Sequence, residues 1–132
     1  MEITRKTGYA VRALVELAMH PEGYTSSKII AEKQEIPVNF LPQIVALLGS
    51  QGWVAGRRGP GGGIRLKVDP ATITIENVME LTQGKIAISP CLSGECSRSY
   101  SCPLKPVWNR AQSAFLAVLN QTTIADLANH TP

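Results

Sequence analysis

Histidine is nearly missing from this 132-residue chain: His20 and His130 are the only two, and both fall near the ends of segments. A cysteine nucleophile calls for a neighbouring base. With no central histidine, no paired catalytic carboxylates and no nucleotide-binding fingerprint, an enzyme is not expected. Long apolar runs are missing as well, and without about 18 consecutive apolar residues no membrane-spanning helix forms. The opening Met1-Glu-Ile-Thr-Arg-Lys6 leads into charged helical sequence with no apolar stretch, so no secretory leader is expected. The expected compartment is therefore the reducing cytoplasm. Cysteine is scarce, and all three residues, Cys91, Cys96 and Cys102, lie within one twelve-residue Gly/Ser-rich stretch. An odd number of thiols leaves one unpaired in any disulfide scheme, and a reducing compartment disfavours such bonds further. Thiolates gathered in one loop suit a single metal or iron–sulfur object better.

With 44% hydrophobic residues the chain can close one compact domain with an appendage, and its net charge of +3 tilts toward nucleic acid. Residues 3–20 read as a helix, with Ala10, Leu14, Leu17 and Ala18 at helical spacing and Arg5, Lys6, Arg12 and Glu16 at polar positions. His20, before Pro21, reads as a solvated helix end. Thr25-Ser26-Ser27 offers capping hydroxyls to a short helix through Glu35. After the turn Ile36-Pro37-Val38, a second helix starts near Asn39 and buries Leu41, Ile44, Val45 and Leu48. Pro42 fits only its first turn, where backbone N–H groups lack partners. The pair has the outline of a helix-turn-helix.

Trp53-Val-Ala-Gly-Arg-Arg58, then Gly59-Pro-Gly-Gly-Gly63, then Ile64-Arg-Leu-Lys-Val68 read as a β-hairpin, the last segment alternating apolar and basic residues. A phosphate-binding Walker loop is the competing reading of the glycines. It fails because no Lys-Ser/Thr pair follows and a strand comes next. Thr74 caps a helix to about Thr82. Leu104, Val107, Trp108, Ala111, Phe115 and Val118 mark a helix of about four turns, with Pro103 at its first position. Thr123 and Asp126 form a capping box for a last short helix. The expected fold is mainly α with a small β-hairpin: a winged helix-turn-helix followed by a long C-terminal dimerisation helix. Its expected divisions are 1–84, DNA-binding; 85–102, cysteine loop; and 103–132, dimerisation helix and tail.

In such a fold the second helix of the pair enters the major groove of double-stranded DNA, while amides and basic side chains grip phosphates. Asn39 and Gln43 carry amides able to pair bidentately with adenine, and Phe40 shares their solvent-facing surface. Ser27 and Lys28 open the preceding helix. Arg57 and Arg58, beside the bulk-free Gly59, Gly61 and Gly62, suit entry of a guanidinium into the narrow minor groove. The Leu104–Val118 stripe is broader than one small domain needs, and burying it against a twin sets two reading heads about one DNA turn apart.

Three stretches then carry a resemblance. Ile3-Thr-Arg-Lys-Thr-Gly-Tyr-Ala-Val-Arg-Ala-Leu14, Arg58-Gly-Pro-Gly-Gly-Gly-Ile-Arg-Leu66 and the three-cysteine loop resemble the Rrf-type family of bacterial winged-helix regulators. It includes an iron–sulfur assembly regulator, a nitric-oxide-sensing repressor and cluster-free members. Residues 113–127 also look like that family's dimerisation helix and tail. The resemblance implies a homodimer on a partly palindromic operator, acting as a repressor, with Cys91, Cys96 and Cys102 holding an iron–sulfur cluster. In the assembly-regulator branch a histidine stands three residues after the last cysteine; here that position is Lys105. In some nitric-oxide-sensing relatives a carboxylate near the start of the first helix reaches over from the partner chain; here that position is Gly8. The spacing, four residues and then five, is closer to the nitric-oxide-sensing branch. Either Glu95, a loop serine or Glu2 of a second copy supplies a fourth ligand, or one iron stays open to water, a small thiol, oxygen or nitric oxide. The open corner is the preferred expectation and favours [4Fe–4S] over [2Fe–2S]. Zinc, which wants four N/S ligands, a metal-free thiol switch and an iron–sulfur electron carrier are the rivals.

Overall fold

The computed structural model describes residues 2–95, 97 and 101–130. Along them run α1 (Arg5–Met19), α2 (Ser27–Gln34), α3 (Leu41–Ser50), β1 (Val54–Arg57), β2 (Gly63–Leu66), α4 (Ile75–Gln83), α5 (Pro90–Ser93), α6 (Lys105–Gln121) and α7 (Ile124–Ala128). A 3-10 turn at Pro70–Thr72 joins the hairpin to α4. The mainly helical architecture with a two-stranded antiparallel wing is the one the sequence leads one to expect.

Helix α1 is the axis of the core. Thr4 caps it by accepting from the Thr7 amide at 3.2 Å, and α2, α3, α4, α7 and β2 all pack on it. Ala10, Ala13, Leu14 and Leu17 are buried at helical spacing, so α1 is held by its inner face more than by its propensity. Glu16 departs from its expected polar position, because its side chain is buried, at 1% exposure. Gln34 Nε2 donates to Glu16 Oε1 at 2.8 Å. The other oxygen accepts no well-directed hydrogen bond; its nearest polar neighbours are His20 Nε2 at 2.9 Å and Lys33 Nζ at 3.9 Å. His20 is therefore a half-exposed partner of a buried carboxylate rather than a freely solvated helix end. A carboxylate cannot enter a core uncompensated, and α2 supplies two of its three partners.

The helix pair forms with adjusted boundaries. Of the three hydroxyls offered, Ser26 caps α2, accepting from the Ile29 amide at 3.2 Å. Glu35 is no longer helical: at φ 52 it is a left-handed cap. α3 begins at Leu41, not Asn39, because Phe40 N–H turns back to the Pro37 carbonyl at 2.9 Å. Pro42 lies in the first turn, as its missing N–H requires.

Thr25 serves instead as a third, isolated strand position. Its N–H and C=O exchange hydrogen bonds with Ile64, each 2.8 Å. A glycine is required opposite, since a Cβ on Gly63 would lie 2.2 Å from the Thr25 carbonyl oxygen. β1 and β2 pair with Val54 opposite Leu66 and Arg57 opposite Gly63. α4 and α7 both open with the reciprocal capping box, Thr74 with Asn77 and Thr123 with Asp126. α6 starts at Lys105, so Pro103 precedes the helix and Pro106 alone occupies its first turn. The chain then doubles back: Ile124 is fully buried, its N–H bonds the Ile73 carbonyl at 2.9 Å, and α7 lies on α1. No helix among the described residues is long and apolar enough to cross a membrane.

Candidate nucleic-acid interface and cysteine loop

Burial of Leu41, Ile44 and Leu48 fixes the roll of α3 and leaves Pro42, Gln43 and Ala46 outward. Gln43 thus stands on the free face of the second helix of the pair, where an amide can meet a base edge. Asn39 is exposed one turn earlier, in the α2–α3 connection rather than on the helix. Phe40 is 42% exposed, and its ring lies 5.8 Å from that of Tyr9, tilted by 55°. Tyr9 in turn carries the Arg12 guanidinium 5.2 Å from its centroid. Phe40 thereby ties the entry of α3 to α1 while keeping part of its ring free. Ser27 and Lys28 are exposed in the first turn of α2.

Arg57, Arg58 and Gly59 are exposed at the end of β1 and the start of the turn. Gly62 closes that turn, donating to the Gly59 carbonyl at 2.9 Å; a Cβ there would stand 2.2 Å from the Arg57 carbonyl oxygen. The absence of side-chain bulk at the tip is therefore a steric requirement of the turn itself, independent of any ligand. Arg57 does not project alone. Its guanidinium carbon lies 5.7 Å from the Tyr24 ring centroid, and that of Arg65 lies 5.8 Å from the same point. Neither Tyr24 nor Arg65 was among the expected contacts; the available signal was the apolar–basic alternation of β2, which sends Arg65 outward.

The cysteine stretch is not a bare loop. Pro90 opens a one-turn helix, α5, and Gly94 at φ 83 closes it. Cys91 is buried on α5, 8% exposed, with its sulfur 3.2 Å from Ser89 Oγ. Cys102 is half-buried before α6, its carbonyl accepting from the Lys105 amide at 3.2 Å. Gln112 of α6 accepts the Ile88 N–H at 2.9 Å and so ties the start of the loop to that helix. Cys96 lies outside the described residues. Among the described residues no three histidine, cysteine or carboxylate side chains converge on one point. The donor set is still one an iron–sulfur cluster accepts: two unbridged thiols are described, one buried and one half-buried, and no histidine accompanies them. Gly8, in α1, has open space around the position of a Cβ.

α6 presents two faces. Gln112, Phe115, Leu116 and Leu119 are half-buried on the side turned to the rest of the chain, where α6 meets α4 and α5. Leu104, Val107, Trp108, Ala111 and Val118 are exposed, Val118 by 64%. Of the expected stripe, only Phe115 belongs to the inner edge.

A helix-turn-helix with a glycine-tipped wing and basic exposed residues defines a winged-helix DNA-binding transcription regulator, and the comparisons agree. The sequence profile of the Rrf2 family, described as iron-dependent transcriptional regulators, matches residues 3–130. The chain belongs to the Rrf2 family. It is 40% identical over 134 residues to the HTH-type transcriptional regulator NsrR of Bacillus subtilis, covering 98% of this chain and 92% of that one. It is 33% identical over 129 residues to the HTH-type transcriptional regulator IscR of Vibrio vulnificus, covering 96% of this chain and 77% of that one. Among solved structures, that of CymR (YrzC), the global cysteine regulator of B. subtilis, superposes with a TM-score of 0.82 at 32% identity, over 100% of this chain and 99% of that one. These relatives are regulators, not enzymes, and this chain is a transcription regulator of the same family.

Proposed function

We propose that the chain is a cytoplasmic, homodimeric repressor whose grip on a partly palindromic operator is set by an iron–sulfur cluster held by Cys91, Cys96 and Cys102. The observation that carries this reading is the position of the thiols. The stretch containing them runs between the end of α4 and the start of α6. It thus joins residues 1–84, the reading head, to residues 103–132, the pairing helix and tail, through the linking segment 85–102. When bound, a cluster of the preferred [4Fe–4S] type supplies an iron open to nitric oxide, oxygen or a small thiol. Lys105 and Gly8 leave the two fourth-ligand positions implied by the family resemblance without a donor.

The chain's own residues account for the rest. Gln43 and Asn39 read bases; Ser27, Lys28, Phe40 and the wing residues Arg57, Arg58, Gly59, Gly61 and Gly62 hold the backbone and minor groove. Leu104, Val107, Trp108, Ala111 and Val118 pair the two copies, with Phe115 at the inner edge of that stripe. Because Gln112 ties the loop to α6, a change in the loop alters the relative placement of the paired heads, and a shift of about an ångström or two mismatches both half-sites.

Colour tests the cluster. Anaerobically purified protein is expected to be brown, and Cys91→Ser, Cys96→Ser and Cys102→Ser should each remove the visible absorbance. Mössbauer spectra showing only a two-iron core would overturn the four-iron preference. A second reading is a cluster-free thiol switch, for which Cys91 and Cys102 stand as free thiols. Colourless, iron-free preparations whose DNA affinity still follows thiol oxidation would select it. For DNA, Gln43→Ala should erase base discrimination at one position per half-site, and Arg58→Ala should weaken operator binding, most where the minor groove is narrow. Equal operator binding by both variants and wild type would remove these assignments.

A further inference from the structure

The hairpin has an outward face of which the regulator reading uses Arg57 alone. In its register Arg57 stands opposite Gly63 and Ala55 opposite Arg65, so Arg57 and Arg65 share the face turned away from buried Val54 and Ile64, at diagonal positions. Two like charges so placed repel, yet both guanidinium groups gather at one aromatic ring, that of Tyr24, at 5.7 and 5.8 Å. Tyr24 comes from outside the hairpin. It is delivered by the backbone bridge between Thr25 and Ile64, which in turn needs glycine at position 63. Among the described residues no carboxylate lies within ion-pair distance of either arginine; the ion pairs found all centre on Glu16. Ordinary hairpin stabilisation would set an acid beside a base. Here two cations are collected on a half-buried ring and left without an anion.

We propose that Tyr24 is a positioning residue that holds Arg57 and Arg65 side by side as a clamp on the phosphate backbone of duplex DNA, with Arg65 a contact in its own right. The inference rests on the wing being a DNA-binding element. The ring's negative face attracts both cations and limits the rotamers each must give up on meeting a phosphate. Arg58, past the end of β1, remains the tip contact. The wing then divides its work: Arg58 enters the groove while the Tyr24 pair fixes the height of the hairpin over the backbone.

Fluorescence anisotropy of a labelled mixed-sequence duplex across a salt series tests this, with thermal melting of each variant alongside. Non-specific binding suffices, because it is made of phosphate contacts. Arg65→Ala should lower the slope of log affinity against log salt by about 0.9, the share of one phosphate, without moving the melting temperature. Tyr24→Leu should weaken binding about three- to tenfold, and Tyr24→Phe, which keeps the ring, should restore it. In an Arg57→Ala/Arg65→Ala background Tyr24→Leu should change nothing further. A slope unmoved by Arg65→Ala overturns the clamp. So does a Tyr24→Leu effect of equal size with and without the arginines, which would make the ring structural only. Arg58→Ala separates the two levels: if it weakens binding while Arg65→Ala and Tyr24→Leu do not, the clamp alone falls. If wild type shows no salt-dependent duplex binding, the wing's DNA role falls with it.

Discussion

Helix α1 spans 15 residues and buries six of them, whereas α6 spans 17 and buries none. Both are amphipathic and both carry an apolar stripe at helical spacing. The difference is in what meets the stripe. Five elements close around α1, from α2 through to α7, so its face is satisfied inside one chain. α6 touches α4 and α5 with one edge and offers the rest to water. An exposed apolar run along a helix of roughly 25 Å marks an interaction surface more than an accident of sequence. Reading α1 and α6 together therefore separates what holds the fold from what is left for assembly.

The largest effect should come from α1. Leu14 is fully buried in the core. Leu14→Ala should cost about 3 kcal/mol in a denaturant titration, from lost transfer energy and the cavity left behind. A loss below about 1 kcal/mol would mean that α1 is not the centre of the core.

α6 should answer with assembly rather than with fold. Trp108 sits 37% exposed in the middle of the outer stripe. If the proposed dimer forms through this face, Trp108→Glu should leave the far-UV spectrum unchanged, weaken self-association about a hundredfold and reduce operator affinity, since two paired heads would bind as a unit. Sedimentation at micromolar concentration is the direct reading. A variant that still sediments as a dimer would move the interface elsewhere and erase the contrast between the two helices.

What the sequence shows without a structure divides along similar lines. Signals that act over a few residues are legible: the inner face of α1, Pro42 in the first turn of α3, the Thr123–Asp126 box, and the glycine turn between two arginine-bearing strands. Those that depend on a distant partner are not. Thr25 looks like a cap because its true partner, Ile64, is far along the chain. Glu16 looks solvated because its acceptance into the core is arranged by Gln34 and Lys33 of another helix. Tyr24 carries no local sign that two arginines will converge on it. The candidate site shares this limit: α3 and the wing tip can be read from spacing, but the placement of Arg57 against Tyr24 cannot. α5 was legible in principle, since Pro90 and Gly94 bracket it, but cysteine-rich loops invite a structureless reading.

Glu16 also bears on the comparison, since it is the one charged group that α1 buries. Its removal by Glu16→Ala should cost about 2 kcal/mol: a hole remains and half-buried Gln34 loses its acceptor, while His20 and Lys33, half-exposed, rehydrate. The double variant Glu16→Ala/Lys33→Ala should then cost little more than the single one, and a thermal melt of the pair measures the coupling. Full additivity would reduce Lys33 to a bystander.

The smallest expected effect lies at the joint between the two halves. Gln83 is the last residue of α4, immediately before the segment that carries the cysteines. Its Oε1 accepts from the Thr4 amide at 2.9 Å and from Thr7 Oγ1 at 2.7 Å, while its Nε2 donates to the Glu2 carbonyl at 2.9 Å. One amide side chain thus laces the entry of α1 to the exit of α4. Thr7 keeps a second partner in Thr82, so Gln83→Ala should cost only about 1 kcal/mol overall. Its local effect should be larger in proportion: faster hydrogen exchange at the amides of Thr7 and Gly8 in the first turn of α1, with the Leu14 region unchanged. Gln83→Glu keeps both acceptor roles and loses only the donation to Glu2, so it should restore most of that protection. If exchange instead rises throughout α1, the tie is part of the core. If it rises only in the first turn, the start of α1 is a separately anchored unit, fixed to the same α4 terminus from which the cysteine segment departs. Under the proposed mechanism, a displacement of that segment would then reach residues 1–84 through Gln83 first.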